Sequence, residues 1–225
     1  HGRHHQFPPH QVNYRANLWA LRAVGVRQVL APCAVGSLQR HLTQGAFVVP
    51  DQVVDRTWGR PHTVFGDVGA VVHVQFSDPY CPGGRAALLA AASEDTPLVD
   101  GGTLVVINGP RFSTRAESRW HSAAGWSVVG MTGMPEASIA RELAMCFSTV
   151  ACVTDMDAGL EGEAGVTHGD VLAVFADNAE RLKALLLRTI AGMPDAAASG
   201  ACACRHALDG QHLPFALPGD ESAAG

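Results

Sequence analysis

Apolar positions recur with a helical period over residues 13–26, where Tyr14, Leu18 and Leu21 stand at i, i+4 and i+7 and Gly25 offers a stop. The pattern then shortens. RQVLAPCAVGSL (27–38) reads as a strand entering a glycine-containing loop, and GAFVVPDQVVD (45–55) as a further β-rich run. TLVVINGP (103–110) is a strand closed by Asn-Gly-Pro. Residues 111–125 predict a helix with Thr114 and Glu117 at capping-box spacing and Gly125 as its end. SVVGM (127–131) and FSTVACV (147–153) are strand-like, and between them PEASIARELAMC (135–146) starts a helix with proline at its first position. Strand, helix, strand at this spacing predicts a βαβ crossover between parallel strands. Residues 167–192 form a long amphipathic pattern with Thr167 as N-cap and a buried stripe of Val171, Val174, Phe175, Leu182, Leu185 and Leu186.

The fold class expected is α/β, a single domain with a central mixed, mostly parallel β-sheet flanked by helices. The domain spans 1–192. Residues 193–225, rich in Ala, Gly and Pro, predict a tail lying loosely on the surface. The chain opens at HGRHHQF, with no initiating Met and no preceding strand, and reads as a piece that starts inside a domain.

Composition narrows the function. Of 225 residues 47% are apolar and 16% charged, a balance suited to a large buried core and not to disorder. A net charge of −5 without any sizeable basic block argues against nucleic acid or an anionic membrane as partner. No apolar run reads as a membrane span or a signal peptide. Cysteines 33, 81, 146 and 152 sit in apolar segments as buried thiols, so a reducing, cytoplasmic setting is expected. The tail segment CACRHALDGQH brings Cys202, Cys204, His206 and His212 close in sequence. Zinc, a C-x-C disulfide and an incidental tail are the readings; the C-x-C spacing is tight for zinc, and no metal or other cofactor is assigned.

The chemistry gathers after the strand at 147–153. VTDMDAG (153–159) places Asp155 and Asp157 one residue apart, and two such carboxylates raise each other's pKa unless a ligand uses them. An Asx turn capping the next segment is the plain alternative. Ligands of α/β sheets bind beyond the carboxyl ends of strands, which selects residues 33–37, Met131-Thr132 and Asp155/Asp157 as one site.

Residues 13–20 with Gly36-Ser37-Leu38, DQVVDRT (51–57), DPYCP (78–82), GPRFSTRAES (109–118), MT-x-x-PE (131–136) and TDMDAG (154–159), in this order, resemble the methylthioadenosine phosphorylase branch of the trimeric purine nucleoside phosphorylase family over residues 1–191. The resemblance implies phosphorolysis: phosphate attacks the anomeric carbon of S-methyl-5′-thioadenosine, and adenine departs from an oxocarbenium-like transition state. It implies that Asp155 meets the purine N7 and 6-amino edge as general acid, with Asp157 holding the 6-amino group. Ionised carboxylates only accept hydrogen bonds, so the pair suits an amino group; 6-oxopurine relatives usually carry Asn there. Carried over likewise are Met131 against the ribose, Phe112 against the purine face, His73 reaching a neighbouring subunit's substrate in a homotrimer, and His1, Cys33, Ala34 and Thr132 for phosphate. Ser113 and His168 are the implied specificity positions. Inorganic phosphate is the co-substrate.

The sequence departs from that pattern in three places. The branch usually has Thr where Cys33 stands. The Gly-rich phosphate loop and an Arg before His1 are missing, so this chain is expected to be weakened in phosphate binding. His168 stands where an apolar residue lines the methylthio pocket, and it points toward the alternatives: a broader purine nucleoside phosphorylase, a hydrolytic nucleosidase, or a non-catalytic relative.

Overall fold

The computed structural model describes residues 1–158, 167–193 and 202–220. Among them seven strands build one sheet: β1 (Gln28–Ser37), β2 (Phe47–Val49), β3 (Gln52–Arg56), β4 (Leu98–Asp100), β5 (Thr103–Ile107), β6 (Val128–Gly130) and β7 (Cys146–Met156), in the order β3-β5-β6-β1-β7-β2-β4. The β1–β6 and β2–β7 pairs are antiparallel and the other four parallel, so the sheet is mixed and mostly parallel, as expected. Five helices flank it: α1 (Tyr14–Ala23), α2 (Pro82–Ala90), α3 (Arg115–Ala123), α4 (Glu136–Glu142) and α5 (His168–Gly192).

The β-rich run at 45–55 breaks at Pro50, which has no N–H for a ladder. Its halves, β2 and β3, lie five places apart in the strand order, as do β4 and β5. Two linking residues reach about 10 Å, whereas five strand spacings across a flat sheet need about 24 Å. The sheet has therefore rolled up like a barrel. The closure is pinned where the two links meet: Asp51 N–H donates to Gly102 O (3.1 Å), Gly101 N–H to Val49 O (3.0 Å), and Gly102 N–H to Asp51 Oδ1 (2.9 Å). Gly101 and Gly102 take φ of 84° and 111°, which residues with a Cβ rarely adopt.

One topological expectation is overturned. β6 runs antiparallel to β1 while β7 runs parallel to it, so β6 and β7 oppose each other with β1 between them. They do not form a parallel βαβ unit. Periodicity identifies the elements, but the direction of re-entry is decided by pairing with β1, more than a hundred residues earlier.

In α1 the stripe predicted through Leu21 turns by one residue. Leu21 is 39% exposed, and the buried position is Arg22, at 4%. Its guanidinium donates to Leu143 O (3.0 Å), Pro218 O (3.1 Å) and both oxygens of Asp220 (2.8 Å), which makes burial of the cation tolerable. The same contacts correct the loose tail. Residues 202–220 pack on the domain: Leu217 joins the main core, and Phe215 stacks on Phe65 (5.2 Å) and meets Trp19 edge-on. On the other side of the sheet, Leu182 and Leu185 of α5 pack with Phe47, Leu88 and Val150. Val171 and Phe175, one turn into the same helix, face a cavity instead.

Candidate active site

Between Val35/Gly36 and Val153/Asp155 the ladder slips by one, leaving Thr154 as an extra residue in β7. Counting by twos from Val153 would put Asp155 on the face of Val153; the bulge hands it to the face of Gly36. Thr154 holds the turn in place, its Oγ1 bonding Val35 O (3.2 Å) and Asp155 Oδ2 (2.8 Å). Gly36 leaves the room: a Cβ there would stand 2.8 Å from Asp155 Oδ1 and 3.2 Å from Asp157 Cβ. Asp157 N–H donates to Ser37 O (3.0 Å), so both acids stay tied to β1 beyond the bulge.

These residues close one end of a cavity of about 620 Å³, within the range of small-molecule sites. Predicted positions His1, Cys33, Ala34, Phe112, Ser113, Met131, Thr132, Asp155 and Asp157 all line it. Asp157 is 3% exposed, and its Oδ2 and the Ser113 hydroxyl are buried without a protein hydrogen-bond partner among the described residues. Buried acceptors are ordinarily satisfied, so two of them on one cavity wall mark where a ligand's donors belong.

Phe112 and Ser113 hang on the loop ahead of α3, and the expected capping box holds that loop. Thr114 Oγ1 accepts from Glu117 N–H (3.2 Å), and Glu117 Oε2 accepts from Thr114 N–H (2.7 Å). Arg111 forks onto the same carboxylate at 2.7 and 2.8 Å and, with the helix amides, holds it down to about 2.

At the opposite end, Cys33, Thr132 and His1 also border a second hollow, where Glu136 lies. Burial pushes the Cys33 thiol up to about 12, so at neutral pH it is a thiol and not an anion facing an anion. Burial likewise raises the Glu136 carboxyl, although its Oε2 accepts the Gly133 N–H at 3.0 Å.

Two predicted positions stand apart. His73 is exposed and does not line the cavity of its own chain. The side chain of His168 lies outside the described residues, as does Gly159 of the acid motif; only the backbone of His168, starting α5, is placed.

Other residues carried no usable sequence signal. His5 stacks on His1 (4.9 Å between rings, 6° between planes) and shares the cavity wall; the histidine-rich opening HGRHHQF was the only hint. Arg60, 4% exposed, donates to Asn108 O (2.8 Å), Met131 O (3.0 Å) and Met134 O, tying the loop after β5 to the loop after β6. A lone Arg in a polar stretch announces none of this.

A rolled α/β sheet with a ligand-sized cavity, acceptors at one end and a hydroxyl, a neutral thiol and histidine at the other, defines an enzyme-type site for a small molecule with an amino-bearing end. The chain belongs to the phosphorylase superfamily, whose family model matches residues 1–191. It is 56% identical to a purine nucleoside phosphorylase of Streptomyces coelicolor, over 97% of this chain and 80% of that one. It is 55% identical to an S-methyl-5′-thioadenosine phosphorylase of Mycobacterium tuberculosis, over 97% and 79%. Methylthioadenosine phosphorylase from Schistosoma mansoni, solved with adenine, superposes with a TM-score of 0.88 at 36% identity, covering 96% of this chain and 82% of that one.

Proposed function

We propose that the protein catalyses phosphorolysis of S-methyl-5′-thioadenosine to adenine and 5-methylthioribose 1-phosphate. The observation that carries this is the acid pair: two carboxylates on one cavity wall, one with a buried oxygen that has no protein partner. Such oxygens accept hydrogen bonds and so match a 6-amino group, whereas a 6-oxo group would set lone pair against lone pair. In this reading the N9–C1′ bond breaks and its electron pair stays with the purine. Asp155 supplies the proton to N7, and a phosphate oxygen bonds to C1′. His1, Cys33, Ala34 and Thr132 hold the phosphate, Phe112 lies on the purine face and Met131 on the sugar. Ser113 and His168 contribute to specificity. Val171 and Phe175 add an apolar wall, which favours a thioether over a hydroxyl at the 5′ position. No cofactor is invoked; inorganic phosphate is the co-substrate. The reading extends to a cytoplasmic homotrimer in which exposed His73 serves a neighbour's site; a solution mass three times that of the chain tests this. Among the described residues no helix is long and apolar enough to cross a membrane.

The Streptomyces relative supports a second reading, a broader purine nucleoside phosphorylase. Initial rates with methylthioadenosine, adenosine and inosine, each with and without phosphate, separate the two. Phosphate-dependent adenine release from methylthioadenosine, with inosine far slower, is expected. Adenosine cleaved at equal or higher efficiency overturns the 5′ assignment, and inosine cleaved well overturns the role of the acids.

A further inference from the structure

The four thiols Cys81, Cys146, Cys202 and Cys204 converge although 123 residues of sequence separate the first from the last. All four sulfurs lie within 4.8 Å of one another. Cys202 Sγ is 3.6 Å from Cys81 Sγ and 3.5 Å from Cys146 Sγ. A tetrahedron of thiolates around zinc, with Zn–S of about 2.3 Å, has edges of about 3.8 Å. A disulfide needs about 2.05 Å and selects one pair, whereas Cys202 stands almost equally far from two partners. We propose that these cysteines form a tetrathiolate site for one divalent zinc-class cation, which fastens the C-terminal segment to the domain.

The frame is rigid where a metal site needs it to be. Cys81 immediately precedes α2, and its N–H donates to Phe147 O (2.8 Å), next to Cys146 at the start of β7. The tail contributes the C-x-C pair, with a turn closed by Arg205 N–H on Cys202 O (2.9 Å). Cys81, Cys146 and Cys204 are 2–4% exposed, so the site is shielded from water. Four thiols would release four protons on binding, leaving a net charge of −2. Buried Arg141, held by Gln75 O (2.9 Å) and Asp78 O (2.6 Å), is close enough to act on Cys204 and offsets part of that charge. The ligand set differs from the one suggested by tail spacing: His206 pairs with Asp209 (2.9 Å) and His212 is exposed. The site is structural, because none of the four cysteines lines the large cavity and β7 separates Cys146 from Asp155 by roughly 30 Å.

The test is metal content and thiol accessibility of the chain purified under reducing conditions without added metal. About one zinc per chain is expected, released together with the four thiols when a mercurial titrates them. Cys202→Ser/Cys204→Ser should lose that zinc and about 5 °C or more of Tm, while Cys152→Ala, a buried thiol outside the cluster, should retain the zinc. If the double variant does not fold, cobalt substituted into the wild-type chain should give the thiolate-to-metal absorption of a tetrahedral site. Metal-free protein with four free thiols that takes up no Zn²⁺ would overturn the proposal. So would an intact mass lowered by two hydrogens per bond, which identifies disulfides.

Discussion

At the scale of single residues the decisive contrast is between acceptor and donor. Asp157→Asn turns a buried acceptor into a group that can also donate. It should weaken use of 6-aminopurine nucleosides and improve 6-oxopurine ones, shifting the ratio of kcat/KM by ~1–3 kcal/mol, roughly 5- to 150-fold. Rates with adenosine and inosine check it; an unchanged ratio removes Asp157 from base selection. Glu136 makes a separate prediction at the phosphate end. Its carboxyl is raised above the ordinary 4.5 by burial, so the folded state holds the proton more tightly than the unfolded chain. Stability from this group is present below 4.5 and is lost as pH rises through the raised value. The anion formed there also faces phosphate. KM for phosphate should therefore climb with pH more steeply in the wild type than in Glu136→Gln, and coinciding profiles would rule this out.

Elements show which parts of the molecule could be read from the chain. The capping box of α3 was legible because Thr114 and Glu117 are three residues apart and satisfy each other's amides locally. The acid pair was legible as a chemical oddity at a strand end. The opposed directions of β6 and β7 were not, because that outcome depends on β1, and no window of sequence contains all three strands. Nor was the role of Arg60, since its acceptors are backbone carbonyls that carry no residue signature. Arg60→Met should leave the carbonyls of Asn108, Met131 and Met134 without a donor. A loss of ~2–4 kcal/mol in urea denaturation and a ~10- to 100-fold fall in kcat/KM are expected, as the loops bearing Phe112 and Met131 drift. Wild-type kinetics in a folded variant would show that the clamp supports the fold alone.

For the whole molecule, the C-terminal segment belongs to the core. Leu217, 6% exposed within the main cluster, should cost ~2–5 kcal/mol when cut to Ala, a burden a surface strap would not produce. Equilibrium unfolding measures it, and a change under ~0.5 kcal/mol would return the segment to the surface. Sequence reading went astray here because Ala, Gly and Pro signal irregular backbone, and irregular backbone was taken for loose attachment. Leu213, Phe215 and Leu217 dock without forming a regular element, so periodicity has nothing to detect.

The supernumerary Thr154 has a bearing on redesign. An engineer who copied the two aspartates onto an unbroken strand, keeping their spacing from the preceding valines, would point them at the wrong side of the sheet. What must be transplanted is an odd count of residues ahead of the acids, together with a bare position opposite them. Recognition of the base is thus stored partly in parity, which a substitution-only search cannot reach and a single insertion can.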